Sequence, residues 1–205
     1  EQDRDVQFGF IGDAAGFIWA TFACEGLARI DPTAGRVLAV WSANELGGCP
    51  WTVLPAGDGG VWVGMFAGLL AHIGPDGEVR SDGPRVESGT ALFRDRSGQI
   101  WIGTREHGAF RLVEAPDPAV TAVAGLPSRT VVAFAEDGAG RIWIATDRGV
   151  AVWQNGVVSD MTARGFPAVP TRAFLADGER MWVGTFGAGL AVESASVLKL
   201  VASWM

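Results

Sequence analysis

The chain has 205 residues, of which 48% are hydrophobic and 19% charged, so it can bury a substantial core and lacks the composition of a disordered protein. Its net charge of −7 offers no basic surface to a nucleic-acid backbone, and no apolar run reaches the roughly 18 to 20 residues that a membrane-spanning helix needs. The 29 glycines and 10 prolines are spread between short apolar segments, which indicates tight turns between short strands.

One tryptophan recurs along the chain within the same short phrase. In chain order, the phrases are GFIWATFACEGL, GGVWVGMFAGLL, GQIWIGTREHGAF, GRIWIATDRGVAV and ERMWVGTFGAGLAV. Their tryptophans stand 43, 39, 42 and 39 residues apart, at Trp19, Trp62, Trp101, Trp143 and Trp182. A period near 40 residues is typical of propeller blades.

The fourth repeat shows the strand pattern within one blade. TVVAFAED, RIWIAT, VAVW and VVSDM have the character of four strands, joined by turns at 138–140, 147–149 and 154–156. One such meander cannot bury both faces alone, so blades stack radially, and the repeated tryptophan is expected to fill the space between neighbours. We therefore predict an all-β fold, a β-propeller of five four-stranded antiparallel blades of about 41 residues each.

The predicted propeller is a single domain over residues 1–205. Its blades are expected at 6–44, 45–86, 87–124, 125–165 and 166–205. Because the chain runs from the first strand of one repeat to the last strand of another, five blades either close alone or form part of a larger propeller.

An aspartate opens the turn between the first two strands of several repeats. Asp95 and Asp137 hold this place in repeats three and four, whereas repeats two and five carry Asp58 and Asp177 at shifted positions. The turns of repeats two and five are therefore expected to differ from the others.

Residues 125–150, GLPSRTVVAFAEDGAGRIWIATDRGV, resemble the two-component regulator propeller repeat, and RDRSGQIWIGTREHGAF and ADGERMWVGTFGAGL match it as well. Phe22 and Met65 stand where the motif has Thr, and Ala145 stands where it has Gly. The first repeat ends in LARIDPTAGRV, which is also similar to streptogramin-lyase-type propellers. The main resemblance implies a periplasmic or extracellular sensor region of a bacterial histidine kinase, hybrid two-component protein or diguanylate cyclase, which binds a carbohydrate or other small molecule without catalysis.

Ligands of propellers usually bind where the second-to-third loops and the blade-to-blade segments converge. These segments are the least repetitive parts of this chain, as expected for side chains released from packing. Trp51, Arg129 and Arg172 are the leading candidates. Aromatic faces beside planar hydrogen-bonding groups suit sugar rings, short peptides or the loops of a protein partner. The full set of predicted ligand-binding residues is Trp51, Arg129, Arg172, Glu25, Phe66, Arg105, Glu106, His107 and Phe186.

Catalytic and metal-binding patterns are sparse. The two histidines, His72 on a third strand and His107 in a loop, have no triad or ligand spacing around them, so we predict no catalytic residue, cofactor or metal site. The neighbours Glu106 and His107 keep a propeller lyase or hydrolase open as an alternative. A protein-interaction scaffold is another, with self-association through unpaired edge strands at 6–11 and 197–204.

Cys24 and Cys49 form a separate hypothesis. The first lies in the second-to-third loop of blade one and the second in the connection to blade two, so both are expected on the same face. They are either free thiols or a disulfide, and a disulfide would fit an oxidising compartment.

Overall fold

A computed structural model describes residues 9–80, 84–114, 118–194 and 197–202 of the chain. Within these residues, twenty strands form five sheets, each of four strands that are consecutive along the chain. Neighbouring strands run antiparallel. The predicted β-propeller of five four-stranded blades is confirmed.

The strands have the following bounds. The first sheet comprises β1 (Phe10–Gly12), β2 (Ile18–Thr21), β3 (Gly26–Asp31) and β4 (Arg36–Ser42). The second comprises β5 (Cys49–Pro55), β6 (Val61–Ala67), β7 (Ala71–Ile73) and β8 (Val79–Arg80). The third comprises β9 (Gly89–Arg94), β10 (Ile100–Thr104), β11 (Ala109–Val113) and β12 (Ala119–Val123). The fourth comprises β13 (Val131–Glu136), β14 (Ile142–Thr146), β15 (Gly149–Gln154) and β16 (Val157–Asp160). The fifth comprises β17 (Thr171–Asp177), β18 (Arg180–Thr185), β19 (Leu190–Ser194) and β20 (Val197–Ala202).

Among the residues that the structure describes, three short helices interrupt this pattern. Helix α1 (Ala43–Leu46) follows β4 and begins with a capping box, in which Ser42 and Glu45 satisfy each other's backbone N–H groups. The other two are 3₁₀ helices at Ala23–Glu25 and Met161–Arg164. None of the helices among the described residues is both long and apolar enough to span a membrane.

The chain divides into two compact units. The first contains Glu1–Leu92 and Glu114–Pro118, and the second contains Phe93–Val113 and Ala119–Met205. The single-domain description and the blade limits given above stay predictions. Of the predicted edge strands, residues 6–8 and 203–204 lie outside the described residues, and the outermost described strands are β1 and β20.

A hydrogen bond between a turn aspartate and the blade tryptophan recurs in three sheets. In each case the aspartate stands six residues before the tryptophan, and its other carboxylate oxygen accepts two backbone N–H groups of the turn. One side chain thus closes the hairpin and satisfies an indole N–H that burial would otherwise leave unpaired. The pairs, with 2.9, 2.8 and 2.8 Å between Nε1 and Oδ2, are Trp19–Asp13, Trp101–Asp95 and Trp143–Asp137.

These aspartates are ionised in the folded protein at neutral pH. Burial raises the pKa of Asp137, but hydrogen bonds from the Trp143 indole and from Arg141, together with the Arg141 charge, outweigh it and hold the pKa below its usual range. The pKa of Asp95 is lowered in the same way, because the Ser97 hydroxyl and the Trp101 indole donate to it against the cost of burial.

The second and fifth sheets differ, as the shifted aspartates predict. In the second sheet the Trp62 indole donates to Glu114 Oε1 at 2.7 Å, while Asp58 accepts the Gly60 backbone N–H and lies 3.3 Å from His72 Nε2. In the fifth sheet Asp177 pairs with Arg180, three residues along.

The repeated tryptophans are core residues in four of the five sheets. In the second unit, Trp101 is fully buried against Phe134 of the next sheet, and Trp143 is fully buried against Phe174 of the next. Trp182 departs from the prediction, because it is only half-buried. It belongs to the fifth sheet, where it lies in a row with Leu175 and Val192.

Candidate functional site

A threonine–glycine hydrogen bond closes the second-to-third loop in the last three sheets. The threonine stands three residues after the blade tryptophan, and its hydroxyl donates to the carbonyl of the glycine that starts or precedes the third strand. The Oγ1–O distances are 2.8, 2.8 and 2.7 Å, for Thr104–Gly108, Thr146–Gly149 and Thr185–Gly189. These bonds fix the base of each loop and leave only its tip, two or three residues long, to project.

The loop tips of sheets three and four meet at one segment before β13. The Thr130 hydroxyl donates to the Arg105 carbonyl at 2.8 Å, and the Gly108 N–H donates to the Arg129 carbonyl at 2.8 Å. On its other side, the Thr130 carbonyl accepts the Asp147 N–H at 3.3 Å. The structure therefore brings the predicted site residues Arg105 and Arg129 together, both with exposed side chains.

Glu106 and His107 form the rest of the tip between β10 and β11, and both are exposed. The His107 backbone N–H donates to Thr104 Oγ1 at 2.9 Å, so this tip turns sharply. His72 lies on β7, as predicted, with its ring 4.6 Å from that of Trp62. Within the described residues, no three His, Cys, Asp or Glu side chains are grouped to hold a metal ion.

Arg172 and Phe186 form a second pair in the same unit. Arg172 lies at a register shift in β17, between Thr171 and Ala173, where a bulge re-aims the side chain. Its guanidinium carbon is 5.8 Å from the centre of the Phe186 ring, within cation–π range. The Phe186 N–H donates to the Pro170 carbonyl at 2.7 Å, and its ring is 69% exposed. The pair presents an aromatic face beside a charge.

Two buried polar atoms make no hydrogen bond within the described residues, at the end of the sheets where the second-to-third loops lie. Asp147 Oδ1 and Thr171 Oγ1 are shielded from solvent and have no hydrogen-bond partner among the described residues. Asp147 follows the end of β14 and Thr171 begins β17, and these two strands pack together. Thr130 and Thr171 were both missed from sequence. Thr171 stands at the position that Val131 holds in the preceding repeat, since each lies opposite the threonine that closes the second-to-third loop of its own sheet.

Trp51 and Phe66 lie in strands, which corrects their expected placement in connecting segments. Pairing of β5 with β6 continues to Cys49 opposite Ala67, through register shifts on both sides of Pro50. Proline has no N–H for the ladder, so the strand continues past it only as a bulge. The two rings are 5.0 Å apart and half-buried, and form an aromatic pair at the end of this hairpin.

Glu25 is exposed in the 3₁₀ helix Ala23–Glu25, next to a disulfide. Cys24 and Cys49 are bonded, with 2.08 Å between their sulfurs. The bond joins the second-to-third connection of the first sheet to the start of β5, the strand that carries Trp51. Glu25, Trp51 and Phe66 therefore belong to one region of the first unit.

Known proteins resemble this chain in both sequence and fold. Residues 88–106 and 125–148 match the family model described as two component regulator propeller. None of the curated proteins matches the chain significantly.

Three solved structures show the fold. The extracellular domain of a protein described as a hybrid two-component system from B. thetaiotaomicron superposes with a TM-score of 0.75 at 20% identity, over 98% of this chain and 28% of that one. A catalytically inactive virginiamycin B lyase from Staphylococcus aureus gives 0.73 at 15% identity, over 97% and 71%. A streptogramin B lyase gives 0.71 at 11% identity, over 97% and 70%.

The family match includes the loop tip at Arg105 and the segment at Arg129, which the structure joins by hydrogen bonds. The chain spans little more than a quarter of the B. thetaiotaomicron domain, at 28% of its length. The chain is a β-propeller in which two segments, residues 88–106 and 125–148, match the two component regulator propeller family model.

Proposed function

We propose that this propeller is the ligand-binding, non-catalytic domain of an extracytoplasmic signalling protein. The regulator-type repeats support signalling, and the likeness to extracellular domains of B. thetaiotaomicron two-component systems agrees with it. The Cys24–Cys49 disulfide supports a location in an oxidising compartment such as the periplasm or the cell exterior.

One observation carries the proposal. Asp147 Oδ1 and Thr171 Oγ1 are buried and have no hydrogen-bond partner in the described part of the chain, at the end of the sheets where the exposed Arg105, Arg129 and Arg172 lie. A buried polar atom without a partner costs free energy that packing must offset, so such atoms gather where a ligand supplies the missing hydrogen bonds.

The chemistry of the site favours a small polar ligand with a ring. The guanidinium groups can donate paired hydrogen bonds, Asp147 can accept them, and the Phe186 face can stack on a ring. Carbohydrates combine hydroxyl groups with apolar ring faces and are therefore the class we expect first, ahead of amino acids and short peptides.

A thermal-shift screen of oligosaccharides, amino acids and short peptides tests the proposal. A ligand at about 100 times its Kd should stabilise the folded protein by about 2.7 kcal/mol. Arg129→Ala and Arg172→Ala should abolish the shift, whereas Arg36→Ala, an exposed arginine at the start of β4, should leave it unchanged.

The fate of the ligand separates binding from catalysis. Recovery of the ligand unchanged after prolonged incubation supports a binding domain. A product that forms with the wild-type protein and not with His107→Ala would overturn the proposal in favour of a lyase or hydrolase.

A further inference from the structure

Charged side chains of the second unit are distributed unequally between the two ends of its sheets. The end that carries the second-to-third loops comprises residues 104–108, 124–130, 146–149, 160–172 and 185–189. Although the whole chain has a net charge of −7, arginines outnumber carboxylates in these segments. The carboxylates are Glu106, Asp147 and Asp160, and the arginines are Arg105, Arg129, Arg148, Arg164 and Arg172. All five arginines are exposed, and we call them the arginine rim.

Arginines at the opposite end of the same sheets are ion-paired. The pairs there are Arg96 with Glu136, Arg141 with both Asp137 and Glu193, and Arg180 with Asp177. Within the described residues, by contrast, no ion pair involves the rim residues Arg129, Arg148, Arg164 and Arg172. A guanidinium without a carboxylate partner keeps its N–H donors for a bound group.

Backbone hydrogen bonds hold three of the rim arginines on adjacent loops. The Thr130 hydroxyl donates to the Arg105 carbonyl at 2.8 Å, and the Thr130 carbonyl accepts the Asp147 N–H at 3.3 Å. Arg129 precedes Thr130, and Arg148 follows Asp147. Positive charges brought together in this way repel each other, and an anionic ligand relieves the repulsion while it gains hydrogen bonds.

The two buried polar atoms of the site add a second requirement. Thr171 is 0% exposed, and neither its Oγ1 nor Asp147 Oδ1 has a hydrogen-bond partner in the described part of the chain. An ionised carboxylate only accepts hydrogen bonds, so the ligand must also bring a donor such as a hydroxyl group. The exposed Phe186 ring, 5.8 Å from the Arg172 guanidinium carbon, offers an apolar face to a ring. A ligand that meets all three requirements carries an anionic group, hydroxyl groups and a ring.

We propose that this end of the second unit binds an acidic oligosaccharide, whose sugar rings carry carboxylate groups. This inference rests on the proposed function and names the class of its ligand. The carboxylates accept paired hydrogen bonds from the arginine rim, and the ring hydroxyls donate to Asp147. Because the rim extends over the third, fourth and fifth sheets, an oligomer with several carboxylates matches it better than a single sugar does.

Titration calorimetry with matched pairs of compounds tests the need for charge. Trisaccharides of glucuronate, galacturonate and mannuronate are each compared with their methyl esters, which keep the rings and hydroxyls but have no charge. At least one acid should bind the wild-type protein about 10-fold or more tightly than its ester, as expected for charge-assisted hydrogen bonds. Raising the NaCl concentration from about 50 mM to about 500 mM should reduce this difference, because salt screens exposed charges.

Arg148→Ala tests the contribution of the rim. It should weaken binding of the acid by about 10-fold and leave binding of the ester unchanged. Arg36→Ala is the matched control, because it removes the same charge from an exposed position outside the rim and should alter neither affinity. Both variants should melt like the wild type, since both side chains are exposed.

The possible outcomes separate this inference from the proposed function. An ester that binds as tightly as its acid, or an Arg148→Ala variant that keeps the full difference between them, overturns the inference. Binding of neutral oligosaccharides, amino acids or short peptides without binding of any uronate also overturns it, while the proposed function stands. If no compound of these classes binds, the proposed function itself fails, and the inference fails with it.

Discussion

Replacing Glu193 by leucine should destabilise the second unit. Glu193 is 1% exposed, and its two carboxylate oxygens accept hydrogen bonds from Arg141 at 3.2 and 3.0 Å. Arg141 also donates to Asp137 at 2.6 Å, so one cation bridges two carboxylates of neighbouring sheets. All four other sheets carry an apolar residue at the register position of Glu193, namely Ile30, Ile73, Leu112 and Trp153.

Removing one partner of a buried ion pair costs about 3 to 5 kcal/mol, because the other charge is left uncompensated. Arg141 keeps Asp137 and remains partly exposed, so we expect Glu193→Leu to cost about 3 kcal/mol, at the lower end of this range. At about 2 to 4 °C per kcal/mol for a protein of this size, the melting temperature should fall by about 6 to 12 °C.

The double variant Arg141→Gln with Glu193→Leu provides the decisive comparison. It gives each of the two sheets the residue that the third sheet has at that position, namely Gln99 in place of Arg141 and Leu112 in place of Glu193. Replacing both members of a buried pair is often nearly neutral. Asp137 also loses Arg141 in this variant, but it keeps the Trp143 indole and two backbone N–H donors, as Asp95 has in the third sheet, so the double variant should recover part of the loss.

Urea unfolding followed by tryptophan fluorescence measures all members of this double-mutant cycle. If the free energy of unfolding of Glu193→Leu stays within about 0.5 kcal/mol of the wild-type value, losing one partner of the ion pair has no measurable cost, and the reasoning fails. A double variant as unstable as the single one would show that the loss arises from packing and not from an unpaired charge.

Three further predictions concern the other recurring contacts. Replacing Cys24 and Cys49 by serine opens a loop with a sequence separation of 25 residues and should cost about 3.5 kcal/mol by loop-closure entropy, so an unchanged calorimetric melting temperature would contradict it. Asp95→Asn should lower stability at pH 7, because the folded pKa of Asp95 lies below its unfolded value of about 3.9 and the carboxylate therefore stabilises the fold above that pH. That stability is lost as the pH falls through the folded pKa, so the gap between variant and wild type in urea midpoints should be wide at pH 7 and narrow near pH 3, and a gap independent of pH would refute it. Thr185→Val removes the hydroxyl that donates to Gly189 and should cost about 1 kcal/mol in the same assay, whereas no change would show that the loop closes without it.

The fold could be predicted because its signal is redundant. The tryptophan recurs at nearly constant spacing, and the shift of Asp58 and Asp177 relative to their tryptophans correctly anticipated two turns that bond differently. A hydrogen bond that needs a fixed spacing along one hairpin can be recognised in the sequence, because both partners belong to the same repeat and recur at the same distance.

Contacts between different repeats were harder to predict from the sequence. Glu193 interrupts a pattern of apolar residues, and its partner Arg141 lies 52 residues earlier in another sheet, so no local rule links the two. The extension of β5 past Pro50 depends on bulges, which single-sequence patterns do not reveal. The residues around Trp182 match those around the buried tryptophans, so the sequence gives no sign that Trp182 is only half-buried.

The candidate site could be located by region but not by contact. The variable loop tips pointed to Arg105 and Phe186 and the blade-to-blade segments pointed to Arg129, and the structure places these residues at the same ends of their strands. The hydrogen bonds through Thr130 depend on the approach of consecutive sheets, which repeat spacing alone does not specify.

The threonine–glycine bond at the base of each loop has a consequence for how the protein can diversify. The donor and acceptor are four residues apart in the third and fifth sheets and three apart in the fourth, yet the hydroxyl reaches the carbonyl in every case. Insertions and exchanges at the tips are thereby uncoupled from the framework. The same architecture can acquire new specificities by mutation at a few exposed positions while its hydrophobic interior is inherited unchanged.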